Sequence, residues 1–79
     1  MENKVIIYST PTCVYCNMSK EFFNKNHVAY EDHNVAEDDV AREEMVNKSH
    51  QLGVPVIDIN GKIVVGFDER ALTKLLGIK

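Results

Sequence analysis

The spacing of apolar residues divides the chain into segments with a repeat of either two or about 3.6 residues. Runs such as 5-VIIY-8 and 56-VIDI-59 are typical of buried strands, and pairs such as Ala41 and Met45 recur at helical spacing. Strands are predicted at 4–8, 28–35, 55–59 and 62–65, and helices at 13–26, 37–48 and 69–76. This β-α-β-α-β-β-α order predicts an α/β fold with a four-stranded mixed sheet and helices on both faces.

Each predicted helix carries one apolar face that we expect to lie in the core. The three faces consist of Val14, Met18, Phe22 and Phe23, of Val40, Ala41 and Met45, and of Ala71, Leu72, Leu75 and Leu76. Glu44 and Lys48 are spaced to form an ion pair on the second helix. Thr12 and Asp68 are suited to cap the first and third helices, and 60-NG-61 predicts the turn of a β-hairpin.

Length and charge limit the classes of protein that this chain can represent. With 79 residues we expect one domain spanning 1–79. The formal net charge is -3, and the basic residues are scattered among acids, which argues against nucleic-acid binding. The first apolar run ends at Tyr8 and is too short for a signal sequence or a membrane span. We therefore expect a cytoplasmic protein that does not bind membranes.

The only two cysteines, Cys13 and Cys16, are separated by two residues at the start of the first predicted helix. In a reducing compartment such a pair is more often catalytic than structural. The unpaired N–H groups and the dipole at a helix start stabilise a nearby thiolate, the reactive form of cysteine. We therefore expect Cys13 to attack a target disulfide. Cys16, one turn further on and deeper, then resolves the mixed disulfide and leaves a Cys13–Cys16 disulfide.

Other uses of a cysteine pair are less well supported. Zinc needs about four ligands, and His27, His33 and His50 show no ligand spacing, so we interpret them as surface or loop residues and expect no metal site. A structural disulfide across two residues would close a loop too small to add much stability. A redox-inert binding domain remains an alternative, which slow alkylation of the cysteines at mildly acidic pH would indicate.

Pro55 opens the third predicted strand directly after Val54. A proline in this position can simply mark the edge of a sheet. In a thioredoxin-like site it is instead a cis-proline that faces the cysteines and turns the backbone of Val54 outward, where an extended substrate can pair with it. The second interpretation is favoured because the cysteine pair, the β-α-β pattern and the proline come in the expected order.

Three segments together resemble the glutaredoxin family, and the resemblance extends over nearly the whole chain. They are 8-YSTPTCVYC-16 with Lys20, then 53-GVPV-56, and then 66-GFD-68. The resemblance implies a thioredoxin fold and the activity of a thiol–disulfide oxidoreductase. It also implies disulfide-containing protein substrates or glutathione mixed disulfides, with electrons from glutathione or from a thioredoxin-reductase-type flavoprotein.

The resemblance assigns roles to individual residues, with Cys13 as the nucleophile and Cys16 as the resolving thiol. The residues implied in substrate binding are Tyr15, Val54, Pro55, Gly66, Phe67 and Asp68. The first three would border the substrate groove and contact the substrate main chain. The last three would hold the far end of glutathione or shape a reductase-docking surface. We expect a monomer without a tightly bound cofactor, and glutathione is the candidate co-substrate.

Several positions depart from the common glutaredoxin pattern. Val14 replaces the proline of Cys-Pro-Tyr-Cys, Thr10 stands where a lysine or arginine often precedes the nucleophile, and Val65 replaces the first glycine of a Gly-Gly pair. Similar departures occur in the glutaredoxin-like redoxins of bacterial ribonucleotide reductase. Those redoxins carry a Trp-Ser-Gly-Phe segment before the last helix, however, and this chain does not. Lys20 either stabilises a thiolate or is a solvated charge. Because some glutaredoxins dimerise through the nucleophilic cysteine around an iron–sulfur cluster, a metal-binding carrier is the second hypothesis.

Overall fold

The chain alternates four strands and three helices in the predicted order. The structure, a computed structural model, describes residues 3–78. Its elements are β1 (Val5–Ser9), α1 (Val14–Lys25), β2 (Glu31–Asn34), α2 (Asp39–Ser49), β3 (Val56–Ile59), β4 (Lys62–Val65) and α3 (Glu69–Leu76). The strand order in the sheet is β2-β1-β3-β4, where β1 and β2 are parallel and the other two pairs are antiparallel. The predicted four-stranded mixed sheet is therefore confirmed.

Two buried cores lie on opposite faces of this sheet, because successive side chains of β1 point to opposite sides. On one face Ile7 packs with Phe23 of α1 and Leu72 of α3. On the other face Tyr8 packs with Met45 of α2. Each large apolar side chain that is fully buried in this way stabilises the fold by about 1.5–3 kcal/mol. Helices thus cover both faces, as predicted.

The buried face of α1 differs from the predicted one. Cys16, Ser19 and Phe23 are buried, whereas Val14 and Met18 expose 68% and 40% of their surface. The prediction followed the most apolar residues, but the helix packs on the sheet through a stripe that includes the small, polar Ser19. Its hydroxyl donates to the main-chain carbonyl four residues earlier at 2.9 Å, so this buried polar group is satisfied within the helix.

The predicted face of α2 is confirmed for two of its three apolar residues. Ala41 and Met45 are buried, but Val40 exposes 74% of its surface because it lies in the first turn, to the side of that face. The predicted pair of Glu44 and Lys48 is present, with 3.2 Å between its charged atoms. The predicted hairpin turn is also present at 60–61, where both residues adopt positive φ, 54° and 90°.

The second strand is shorter than predicted. Val28 is not part of it, because its N–H bonds back to the carbonyl of Phe23 in α1 at 2.8 Å. His33, interpreted as a surface or loop residue, lies within β2 and is half-buried. The other two histidines are exposed, as expected. Within residues 3–78, no helix is long and apolar enough to cross a membrane.

Candidate active site

The fold brings three separate segments to one edge of the sheet, the side at which β1 and β4 end and β3 begins. β1 ends beside the start of β3, because Tyr8 pairs with Val56, and Val56 also pairs with Val65 at the end of β4. The N–H of Gly66 donates to the carbonyl of Pro55 at 2.8 Å. The neighbouring segments are therefore 10–13, 54–55 and 66–68. These segments contain most of the residues that the sequence analysis selected.

Cys13 itself, rather than the predicted Thr12, is the N-cap of α1. Its Sγ accepts the N–H of Cys16 at 3.1 Å, and its own N–H donates to the carbonyl of Thr10 at 3.3 Å. A side chain in this position receives a helix N–H and the positive end of the helix dipole, and both favour negative charge on the sulfur. Cys13 is also partly exposed. Its partial exposure and its place at the helix start are the features that reactive cysteines share.

Cys16 has the opposite environment. Its side chain is fully buried, and this burial, together with the hydrogen bond to Cys13, raises the pKa of Cys16 to about 12. The main-chain N–H of Thr10 and the charge of Lys20 act in the opposite direction and lower that pKa. At neutral pH Cys16 is thus held as a buried thiol. The two sulfurs are adjacent but chemically inequivalent.

Lys20 lies one turn beyond Cys16 and is not simply a solvated charge. Its Nζ is 2.6 Å from Oδ2 of Asp32 in β2, and only 23% of its side chain is exposed. The buried Ser9 donates its hydroxyl to Oδ1 of the same carboxylate at 2.6 Å. Lys20 was a candidate from the sequence, whereas its contact with Asp32, and that of Asp32 with Ser9, were not predicted. In the polar strand 31-EDHN-34 nothing marks which side chains face α1.

The three residues predicted to border the substrate groove lie beside the cysteines in the chain or at the same sheet edge. The Val54–Pro55 peptide bond is cis, as predicted. Pro55 is buried, and Val54 is half-buried against the core on the α2 side. Tyr15, which lies between the two cysteines, exposes 61% of its surface. An aromatic ring that is exposed in this position is available to a docked substrate.

The three residues after β4 lead from this edge into α3. Gly66 has a φ of +82°, which a residue with a side chain rarely adopts. Phe67 packs edge-on against Phe22 of α1, with ring centroids 6.0 Å apart. The exposed Asp68 caps α3 as predicted, because its carboxylate accepts the N–H of Ala71 at 3.1 Å. Its negative charge remains at the surface.

A second polar cluster lies on the α2 face of the sheet, and only its pair of Glu44 and Lys48 was predicted from the sequence. Nζ of Lys48 is 2.8 Å from both the hydroxyl of Tyr8 and Oδ2 of Asp58 and also contacts Glu44. Burial opposes the charge of Lys48, but its hydrogen bonds to these three groups raise its pKa. The N–H of Gly61 donates to Oδ1 of Asp58 at 2.8 Å. The sequence contained one signal for this cluster, because the charged Asp58 interrupts the apolar run 56-VIDI-59.

Metal binding is the other chemistry that a cysteine pair can support. Within the described part of the chain, no group of three or more His, Cys, Asp or Glu side chains is arranged to hold a metal ion. Cys13 and Cys16 supply two of the roughly four ligands that zinc needs. Both cysteines are free thiols in the structure.

Comparison with known proteins identifies the family. The glutaredoxin family model matches residues 5–64. An uncharacterized glutaredoxin-like 8.6 kDa protein in the rubredoxin operon of Clostridium pasteurianum is 49% identical over 70 residues, which cover 89% of this chain and 93% of that protein. Glutaredoxin 3 of Escherichia coli strain K12 is 31% identical over 65 residues, which cover 82% of this chain and 78% of that protein.

Solved structures agree with this assignment and confirm the thioredoxin-like fold. A mutant of the thioredoxin-like protein BC3987 superposes with a TM-score of 0.91 at 36% identity, over 96% of this chain and 97% of that one. Methanoredoxin from Methanosarcina acetivorans gives a TM-score of 0.88 at 25% identity, over 95% of this chain and 85% of that one. The chain belongs to the glutaredoxin family, whose members are typically thiol–disulfide oxidoreductases.

Proposed function

We propose that this glutaredoxin is a cytoplasmic oxidoreductase that reduces disulfides through both thiols of the pair. The observation that supports the proposal is the difference between two adjacent sulfurs. Cys13 is partly exposed and accepts a helix N–H, while Cys16 is fully buried beside it. A pair of this kind provides an attacking thiol and, three residues further along the chain, a resolving thiol.

The proposed reaction has two steps. The thiolate of Cys13 attacks one sulfur of the substrate disulfide, so that a bond to that sulfur forms and the other sulfur leaves as a thiolate. Cys16 then loses its proton and attacks Sγ of Cys13, which closes the Cys13–Cys16 disulfide and releases the second substrate thiolate. Two electrons pass from the pair to the substrate, and solvent carries the proton of Cys16 to the leaving thiolate. A donor thiol subsequently reduces the pair.

The proposed substrates are protein disulfides and glutathione mixed disulfides. Their proposed binding surface consists of residues that lie between the cysteines, directly before β3 or directly after β4 at the same edge: Tyr15, Val54, Pro55, Gly66, Phe67 and Asp68. Electrons come from glutathione or from a thioredoxin-reductase-type flavoprotein. We propose that the protein works as a monomer without a tightly bound cofactor.

A coupled assay of NADPH oxidation tests this function and identifies the electron donor. The protein is supplied with a disulfide substrate and either glutathione with glutathione reductase or thioredoxin reductase alone. We expect NADPH consumption that depends on this protein with at least one of the two donors. If the protein causes no NADPH consumption with either donor, the proposed function is contradicted.

The variant Asp68→Asn separates the proposed role of this residue in substrate binding from its role as a helix cap. Asparagine caps a helix about as well as aspartate, so the stability of the protein should stay within about 0.5 kcal/mol. If the carboxylate pairs with the ammonium group of glutathione, loss of its charge should raise KM for a glutathione mixed disulfide about two- to fivefold. That factor corresponds to the free energy that an exposed ion pair typically contributes. Steady-state kinetics measures this change.

Asp38→Asn is the matched control, because Asp38 caps α2 with the same geometry, at 3.0 Å from the N–H of Ala41. We expect this variant to leave KM unchanged. If Asp68→Asn also leaves KM unchanged, Asp68 acts only as a helix cap.

A further inference from the structure

The resolving step needs a thiolate at a position that disfavours charge. Cys16 is fully buried, and burial is the main reason that its pKa is raised to about 12. In the reduced protein at neutral pH only a very small fraction of the molecules therefore carries this thiolate. The attack on Cys13 nevertheless depends on it. A nearby group that favours negative charge on Cys16 would accelerate this step.

Lys20 lies in a position from which its charge can favour the thiolate of Cys16. It follows Cys16 by four residues on α1, so the two side chains lie on one face of the helix, with about 5–6 Å between their Cβ atoms. The 2.6 Å contact with Asp32 holds its ammonium group in place. Because the side chain is only 23% exposed, water screens its charge less than that of a surface lysine.

The groups that act on Cys16 come from the helix itself and from the loop before it. The hydrogen bond to Cys13 opposes charge on Cys16, whereas the N–H of Thr10 and the ammonium of Lys20 favour it. Asp32 of β2 is the carboxylate bound to Lys20. Once Cys13 is joined to a substrate it carries no charge. Among these groups, Lys20 is then the cation that favours charge on Cys16.

We propose that Lys20 is a positioning residue of the resolving step, whose ammonium, anchored by Asp32, favours the thiolate of Cys16 while the mixed disulfide exists. This inference rests on the proposed function of the thiol pair. It assigns Lys20 to Cys16. The lysine or arginine that many glutaredoxins carry at the position of Thr10 would act on Cys13 instead. The bonds formed and broken are those of the two-step reaction proposed for the thiol pair, and Lys20 forms no covalent bond in it.

The chromogenic disulfide dithiobis(nitrobenzoate) separates the two steps in a single experiment. Attack by Cys13 releases one nitrothiobenzoate and leaves the other bound to Cys13. Attack by Cys16 then releases the second and closes the Cys13–Cys16 disulfide. The two releases are followed by stopped-flow absorbance from mildly acidic to alkaline pH, for the reduced full-length protein and its variants.

In the variant Lys20→Met we expect the second release to slow about tenfold at neutral pH and its pH profile to move up by about one unit. The variant removes the ammonium and leaves the carboxylate of Asp32 without its partner. Both changes disfavour a thiolate on Cys16, and a shift of about one pKa unit corresponds to a factor of about ten in its population. The first release should change less than about twofold. Lys20→Arg should restore both the rate and the profile, because it restores the charge. Lys25→Met, which removes an exposed lysine from the same helix, should have no effect.

An unchanged second release in Lys20→Met would overturn the inference. So would a slowing that is equal at every pH and is not reversed in Lys20→Arg, since that result indicates a structural role for the contact with Asp32. Absence of the first release in the unmodified protein is a different result. It would contradict the proposed function itself, because Cys13 would then not be a nucleophile.

Discussion

The variant Cys13→Ser is expected to lose disulfide reductase activity by a factor of roughly 10³ or more, because a hydroxyl cannot replace a thiolate in disulfide exchange. Its fold should be retained, since serine is a preferred N-cap and can accept the same helix N–H that Sγ of Cys13 accepts now. The coupled NADPH assay measures the activity, and circular dichroism verifies the fold. Full activity in this variant would exclude the proposed mechanism.

The partner variant Cys16→Ala should fail at a different step. Cys13 can still attack, but no second thiol is present to release the substrate, so a mixed disulfide should accumulate on Cys13. Intact-mass measurement under non-reducing conditions would show the added mass of the substrate. Alanine is chosen because a serine hydroxyl at this fully buried position would need a hydrogen-bond partner. Normal turnover on protein disulfides, without a trapped species, would contradict a role for Cys16 in resolution.

The largest expected loss of stability comes from Lys48→Met. The side chain of Asp58 is only 12% exposed, and its Oδ2 lies 2.8 Å from Nζ of Lys48. The change removes this cation and leaves the carboxylate unpaired. Removal of one partner of a buried ion pair costs about 3–5 kcal/mol, a large part of the roughly 5–15 kcal/mol that stabilises a small domain. Urea unfolding followed by circular dichroism measures the loss.

A double variant identifies the cause of this loss. Adding Asp58→Asn to Lys48→Met removes the unpaired charge and should recover more than about 1 kcal/mol. Lys25→Met is the control for the removal of an exposed lysine and should stay within about 0.5 kcal/mol. A loss below about 1 kcal/mol in Lys48→Met would show that the cluster contributes little to stability.

The same cluster predicts how stability depends on pH. Hydrogen bonds from Tyr8 and Lys48 lower the pKa of Glu44 below its ordinary value of 4.5. Its contribution is therefore complete above that value and is lost as the pH falls through the lower pKa of the folded state. Lys48, whose pKa is raised above 10.5, contributes fully below that value and loses its contribution only in strongly alkaline solution.

Local patterns were sufficient to predict the order of the elements and the site of the two thiols. The apolar runs, the 60-NG-61 turn and the cap at Asp68 depend on neighbouring residues only, and the structure confirms them. The cis bond at Pro55 was predicted by likeness to a thioredoxin-like site, because the cysteine pair, the β-α-β pattern and the proline come in the order of such a site, and the structure confirms it. The structure also places Pro55 beside the end of β1, directly before the residue that pairs with Tyr8.

Features that depend on packing between distant segments could not be predicted in the same way. The stripe of α1 that contacts the sheet includes Ser19, whereas Met18 is 40% exposed, and the apolar spacing along the helix did not indicate this rotation. The contact of Lys20 with Asp32 depends on the register of β2 against β1, which the polar sequence of that strand does not specify. Either Thr12 or Cys13 could have capped α1, and only the conformation of the loop selected the cysteine.

The most direct measurement for the central claim is the rate at which iodoacetamide modifies each thiol of the reduced protein at mildly acidic pH, determined by peptide mass spectrometry. The buried sulfur with the raised pKa should react at least about a hundredfold more slowly than the sulfur at the helix start. Rapid and selective modification of Cys13 is the predicted result. Equal modification of both thiols, or faster modification of Cys16, would contradict the division of labour on which the proposed function depends.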